Sequence, residues 1–160
     1  MARIPRVTMT LMASLLLGAC QFFQGPAHGA AGKVQSLGQA SHCGYNSPQL
    51  VLLRKGDSLP ALRGKLRETL NATLEEGHLV LLVALGERPT PGYGAELDRV
   101  EVVSGDRLSL HLNASKPEEG SLLAQVITTP CLALSLPEGG WSALTVELPV
   151  KGFPITRPHP

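Results

Sequence analysis

The chain has 160 residues, with 14 Lys and Arg, 13 Asp and Glu, and a formal net charge of +1. So even a balance leaves no electrostatic footprint for nucleic acid, whose binding is driven by neutralising phosphates with a basic surface. At this length one hydrophobic core is expected.

Arg3 and Arg6 precede an uncharged apolar run from Val7 to Leu17, which ends in Leu17-Gly18-Ala19-Cys20. A basic start, a short apolar core and small residues before a cleavage point are the order of a secretory signal. The run is about 11 residues, against roughly 20 for a helix that spans a bilayer. Leu-Gly-Ala-Cys resembles the bacterial lipobox, in which the cysteine after the cut carries the lipid. The expectation is a lipoprotein signal peptide over residues 1–19 and lipidation at Cys20, with acyl chains contributing about 0.8 kcal/mol per buried methylene at the membrane. Gln21, not Asp, follows the cysteine, which fits a lipid-anchored protein of the bacterial cell envelope, on the outer membrane in a diderm organism. Removing the signal would leave 12 basic against 13 acidic residues.

Residues 20–41, rich in Gly, Ala and Gln and without periodicity, read as a flexible tether. Gln49 to Arg54 is a short apolar run and reads as a strand. Asp57 or Ser58 is placed to cap a helix, followed by Leu59, Leu62, Leu66, Leu70 and Leu74 at steps of three and four, with Arg63, Lys65, Arg67 and Glu68 on the other face. Pro60 would then occupy the first turn, where a missing amide hydrogen is tolerated. His78 to Leu85 is almost wholly apolar, as expected of a central strand covered on both faces.

Gly86 to Gly94 contains Pro89 and Pro91 and reads as a projecting loop. Alternation then resumes through Leu97, Val100 and Val102, turns at Ser104-Gly105-Asp106, and returns through Leu108, Leu110 and Leu112, an antiparallel pair with one buried face. His111 falls on the outward parity of that pair. Pro117 to Gly120 is a second loop; Leu122 to Thr128 and Cys131 to Leu136 read as strands interrupted by Pro130. Pro137 to Gly140 turns, Ala143 to Leu148 supplies the last strand, and residues 151–160 form a proline-rich, fraying tail. The fold class expected is α+β: an antiparallel sheet or sandwich of six or seven strands with one amphipathic helix packed on it.

With Cys20 lipidated, Cys43 and Cys131 remain in a compartment that permits oxidation. A disulfide between them, expected ahead of two buried thiols, would close a loop worth about 4 kcal/mol in the chain-entropy view. Chemistry is otherwise sparse. Of the histidines, His28 falls in the tether and His159 in the tail, no serine lies in a nucleophile elbow, and no His or Cys pair has metal-ligand spacing. His42 and Cys43 are adjacent, which points their side chains apart on an extended chain. Nothing warrants an enzyme, a metal or a cofactor.

What stands out is the loop itself, Arg88, Pro89, Thr90, Pro91, Gly92 and Tyr93. Two prolines restrict its backbone, so less entropy is lost on meeting a partner, and Tyr93 offers an aromatic anchor. Equally, the prolines end a strand and Tyr93 fills the core; residue types alone leave the two readings even. Trp141, the only tryptophan, sits on a glycine turn, and the expected partner-facing surface is the Arg88–Tyr93 loop flanked by the turn from Glu138 to Trp141.

At these residues the chain resembles the C-terminal domain of the protease complex subunit PrcB. The likeness runs through Val83 to Gly86, Pro89 to Tyr93, Val100 to Val103, Gln125 to Leu136 with Thr128-Thr129-Pro130-Cys131, and the Gly139-Gly140-Trp141 turn, about half the chain. It implies a PrcB C-terminal-like domain over residues 42–150 that acts without catalysis, binding and stabilising an exported protease or another envelope protein complex. Pro91 departs from the small residue common inside that turn. Pro-Thr-Pro-Gly-Tyr also resembles the loop of chagasin-type cysteine protease inhibitors, which makes inhibition the alternative, with Arg88 where those proteins carry asparagine. A structural envelope lipoprotein without a specific ligand is the third possibility.

Overall fold

A computed structural model describes residues 33–60 and 62–160. The expected signal peptide (residues 1–19), the expected lipidation site Cys20 and His28 lie outside the described residues. The elements are β1 (Gln35–Ala40), β2 (Pro48–Leu53), α1 (Lys65–Glu75), β3 (Leu79–Leu85), β4 (Gly94–Val103), β5 (Arg107–Ser115), β6 (Cys131–Leu136), β7 (Ala143–Glu147) and β8 (Ile155–Pro158).

Strand β3 shows why the chain folds in layers. All seven of its residues are apolar and buried, which a strand achieves only when both faces are covered. Its odd-numbered residues Leu79, Leu81, Val83 and Leu85 point into a core shared with Leu108, Leu110, Leu144 and Val146 of a second sheet. Its even-numbered residues Val80 and Leu82 face Leu70 and Leu74 of α1. The first sheet runs β1-β6-β3-β2 and the second β4-β5-β7-β8. Helix, first sheet and second sheet are thus stacked, with the main core between the sheets.

The expected strands at 49–54, 78–85, 131–136 and 143–148 and the hairpin turning at 104–106 correspond to β2, β3, β6, β7 and the β4–β5 pair. Other expectations need correction. There are eight strands among the described residues, not six or seven, and they form two sheets. Residues 35–40, assigned to the tether, form β1 and pair antiparallel with β6 from Gln35↔Ser135 to Ala40↔Cys131. Residues 155–158 of the supposed fraying tail form β8 on the edge of β7. The strand expected at Leu122 to Thr128 does not form; only Thr128 and Thr129 make isolated bridges.

The sheets are not wholly antiparallel, because β5 and β7 run parallel from Arg107↔Ala143 to His111↔Glu147. Between them the chain crosses to the first sheet as β6 and returns, and such a crossover brings it back in the original direction. Helix α1 begins at Lys65 after Gly64, not at the Asp57 or Ser58 cap, and Pro60 lies outside it. Asp57 instead closes the turn after β2, its Oδ2 accepting from Arg54 N at 2.8 Å. Leu62 is buried and Leu59 partly so in the same cluster as the helix leucines, so the leucine spacing outran the helix.

Candidate functional site

Following β3 to its end leads to the proline loop. Gly86 turns the chain at φ 79°, and a Cβ there would stand 2.9 Å from Pro48 Cδ and 3.0 Å from Pro48 N, so no other residue fits without displacing backbone. Glu87 N donates to Asn46 O at 3.1 Å. Arg88 then pairs with Thr128 through two backbone bonds, Arg88 N to Thr128 O at 2.8 Å and Thr128 N to Arg88 O at 2.9 Å. The Thr128 hydroxyl donates to Thr90 O at 3.2 Å. At the other end of the loop Gly92, at φ 97°, lies against the Pro117 ring. The loop is therefore clamped at both ends and across its middle.

Within it, Pro89 and Gly92 are exposed while Arg88, Thr90, Pro91 and Tyr93 are half-buried. The Arg88 guanidinium donates through Nη2 to Leu85 O at 2.8 Å, and its carbon lies 5.7 Å from the centre of the Tyr93 ring. That arrangement is a cation–π contact worth about 0.5–1 kcal/mol at a partly exposed site. Arg88 Nε is buried with no hydrogen-bond partner. Beside the pair opens a cleft of about 390 Å³ lined by Leu85, Arg88, Tyr93, Ala114, Lys116 and Val150. Its wall is apolar with two cations at the rim, and Lys116 is a contributor that the sequence reading did not single out.

The clamp has its own anchor. Thr129 Oγ1 accepts from Cys43 N at 3.1 Å and Gly44 N at 3.0 Å, and Thr129 N donates to Ser41 O at 3.0 Å. Pro130 cannot donate, but its carbonyl accepts from Leu85 N at 2.9 Å. Cys131 is joined to Cys43 by a disulfide, with the Cα atoms 6.1 Å apart. Four consecutive residues thus tie together the proline loop, the end of β3 and the 41–44 strap, and Thr-Thr-Pro was the visible trace of this hub in the sequence.

The turn carrying Trp141 does not flank this loop. Strand β6 runs away from Cys131, so the 137–141 turn emerges at the opposite end of the domain, where Ser142 N donates to Asp106 O in the β4–β5 turn at 3.0 Å. Nor is Trp141 a surface aromatic: it is 5% exposed, belongs to the core between the sheets, and donates through Nε1 to Pro137 O at 2.9 Å. His159 meets its ring edge to face with centroids 4.4 Å apart, so this tail residue has a fixed position. Trp141 is withdrawn from the partner-facing set, while Tyr93 stays in it.

His111 keeps its outward parity but is largely covered there. Its side chain is only 18% exposed, with Nε2 3.3 Å from Glu101 Oε2 and Nδ1 3.2 Å from Glu147 Oε2. It sits on β5, between β4 and β7, so long side chains reach it from both neighbours. Ser109 is close as well: its hydroxyl donates to Glu147 Oε1 at 2.9 Å and its oxygen lies 3.4 Å from His111 Nε2. Glu101 also pairs with Arg99 at 2.8 Å, and that hydrogen bond, with a smaller contribution from His111, holds its carboxyl below the usual range. Among the described residues no group of three or more His, Cys, Asp or Glu is placed to hold a metal ion. None of the described helices is long and apolar enough to cross a membrane.

Comparison with known proteins bears on the part of the chain that holds this loop. Residues 79–137 match the family described as PrcB C-terminal. The matched stretch holds β3 to β6, the whole proline loop and the Thr128–Cys131 hub, while β1, β2, α1, β7 and β8 lie outside it. No curated protein and no solved structure matches the chain.

Proposed function

We propose, from the match of residues 79–137 to the PrcB C-terminal family, that this protein is a non-catalytic lipoprotein of the bacterial cell envelope that binds and stabilises an exported protease or another envelope protein complex. Its partner-facing surface is the end of the domain that carries Arg88 to Tyr93. The observation that carries this reading is the clamp on that loop: paired to Thr128, seated on Pro48 and Pro117, it holds Tyr93 and Arg88 in fixed relation at the edge of an apolar cleft. A pre-ordered loop with an aromatic and an arginine loses little entropy on docking and presents the residue types that dominate interface energies. The lipid at Cys20 would keep the domain at the membrane, and no cofactor takes part.

Photocrosslinking from position 90 in the native envelope, followed by mass spectrometry, should recover a secreted protease or another envelope protein. Tyr93→Ala should abolish its co-purification while changing the unfolding midpoint little. The reading fails if the purified chain turns over a substrate alone, or if it travels free of lipid. Loss of papain-like protease activity on adding the chain would favour the chagasin-like alternative instead.

A further inference from the structure

We propose that residues 122–127 form an acceptor for β-strand addition, on which a protein partner lays an extended, uncharged, apolar strand. This deepens the partner-binding reading and rests on it, since it names how the partner is held.

The segment Leu122-Leu123-Ala124-Gln125-Val126-Ile127 has no charge, no proline and no glycine. Its aliphatic and β-branched residues are those that strands favour. Yet none of it lies in a strand, and its side chains stand in water: Leu122 is fully exposed, and Leu123, Val126 and Ile127 are 36%, 50% and 64% exposed. The ladder begins only one residue later, where Thr128 pairs with Arg88. Upstream, Val126 N bonds locally to Ala124 O, and among the described residues no inter-strand bond holds 122–127. The segment therefore offers an apolar surface and an open backbone together.

That pairing of needs selects the occupant. A bilayer would take the side chains but leave backbone N–H and C=O groups without partners, each costing several kcal/mol in hydrocarbon. A strand edge satisfies both, with main-chain bonds supplying affinity and alternate side chains supplying specificity. Position agrees. Lys33 lies just before β1, at the Ser135 end of β6, whereas 122–127 enters the first sheet at its Cys131 end, about 13 Å away along the strand. The lipid anchor of the proposed reading would join the domain at the other end of that sheet. Charge agrees as well: the flank carries Glu118 and Glu119, with Lys116 paired to Glu119 at 3.7 Å, and no basic cluster to meet anionic headgroups. Through Thr128 the segment continues into the Arg88–Tyr93 loop, so both would be covered by one partner.

The probe is a fluorescein-labelled ten-residue peptide of alternating Val and Thr, mixed with the full chain and followed by anisotropy. Binding is expected, at least tenfold weaker for the same peptide N-methylated at alternate amides, and at least tenfold weaker for Val126→Asp, whose melting curve should match the wild type. No binding up to millimolar peptide, equal binding of both peptides, or undiminished binding by Val126→Asp overturns the proposal. Two further results overturn it in favour of other occupants: Val126-dependent sedimentation with phosphatidylethanolamine–phosphatidylglycerol vesicles in place of peptide binding, or Val126-dependent dimerisation of the chain alone. If Val126→Asp keeps the envelope partner that Tyr93→Ala loses, strand addition is wrong and the partner reading stands; if the wild-type chain holds no envelope partner, the reading beneath it fails too.

Discussion

Replacing Trp141 and Tyr93 separately distinguishes a core aromatic from a surface one. Trp141 is almost fully buried between the sheets, anchored by Nε1 to Pro137 O and packed against His159. Truncation to Ala removes the whole indole and leaves a cavity with a buried carbonyl unpaired, which places the loss at about 3–5 kcal/mol. For a domain of this size that is a fall of about 10–20 °C in the unfolding midpoint. Trp141→Phe keeps most of the apolar area and loses mainly the hydrogen bond, so it should cost about 1–3 kcal/mol. Tyr93→Ala removes a half-buried ring and its Arg88 contact and should cost less than about 1.5 kcal/mol. The assay is urea unfolding followed by circular dichroism, read alongside co-purification of the envelope partner. The reasoning is refuted if Trp141→Ala unfolds within about 1 kcal/mol of wild type while losing the partner.

Gly86→Ala should destabilise by about 2–4 kcal/mol, from left-handed backbone strain together with the clash on Pro48, and a urea midpoint close to wild type would show that the loop is not pinned there. Joint replacement of Cys43 and Cys131 by Ala removes a bridge between residues 88 apart in sequence, with an expected loss of about 4–5 kcal/mol in the chain-entropy view. Alkylation of the exported chain without reductant should find neither thiol free. The Glu101 carboxyl is held low by Arg99, so its contribution to stability is present above the ordinary glutamate range and lost as pH falls through its depressed folded value. Glu101→Gln should flatten the fall in stability as pH drops below the ordinary glutamate range, and an unaltered acid slope would refute that assignment.

Much of the first sheet was legible because burial on both faces writes itself as an unbroken apolar run, as in Leu79–Leu85 and Cys131–Leu136. The β4–β5 hairpin was legible because one wet face forces alternation. Edge strands leave weaker marks. Strand β1 has no fully buried residue, and β8 ends in a proline that only an edge position admits, so neither carries a pattern. Leu122 to Thr128 misled for the opposite reason: its composition suits a strand, but a strand needs a neighbour, and no local rule says whether one arrives. Trp141 failed likewise, since a glycine turn looks exposed until β8 and His159 close over it. For the proline loop, position and flexibility restraint were readable, whereas its clamp was not, because Thr128 and Pro48 come from 40 residues away on either side.

The hub from Thr128 to Cys131 links these readings. Proline alone stiffens a loop locally; it does not aim it. Here direction comes from Thr128 on one side and from Thr129 and the Cys43–Cys131 bridge on the other, so the loop is oriented by a covalent closure that only an oxidising compartment sustains. On the proposed reading, export and recognition would be coupled through the same four residues, because the disulfide that anchors the hub forms only under oxidising conditions. A partner of the kind proposed would then find Arg88, Tyr93 and the open segment before Thr128 already held together, at the end of the first sheet away from Lys33.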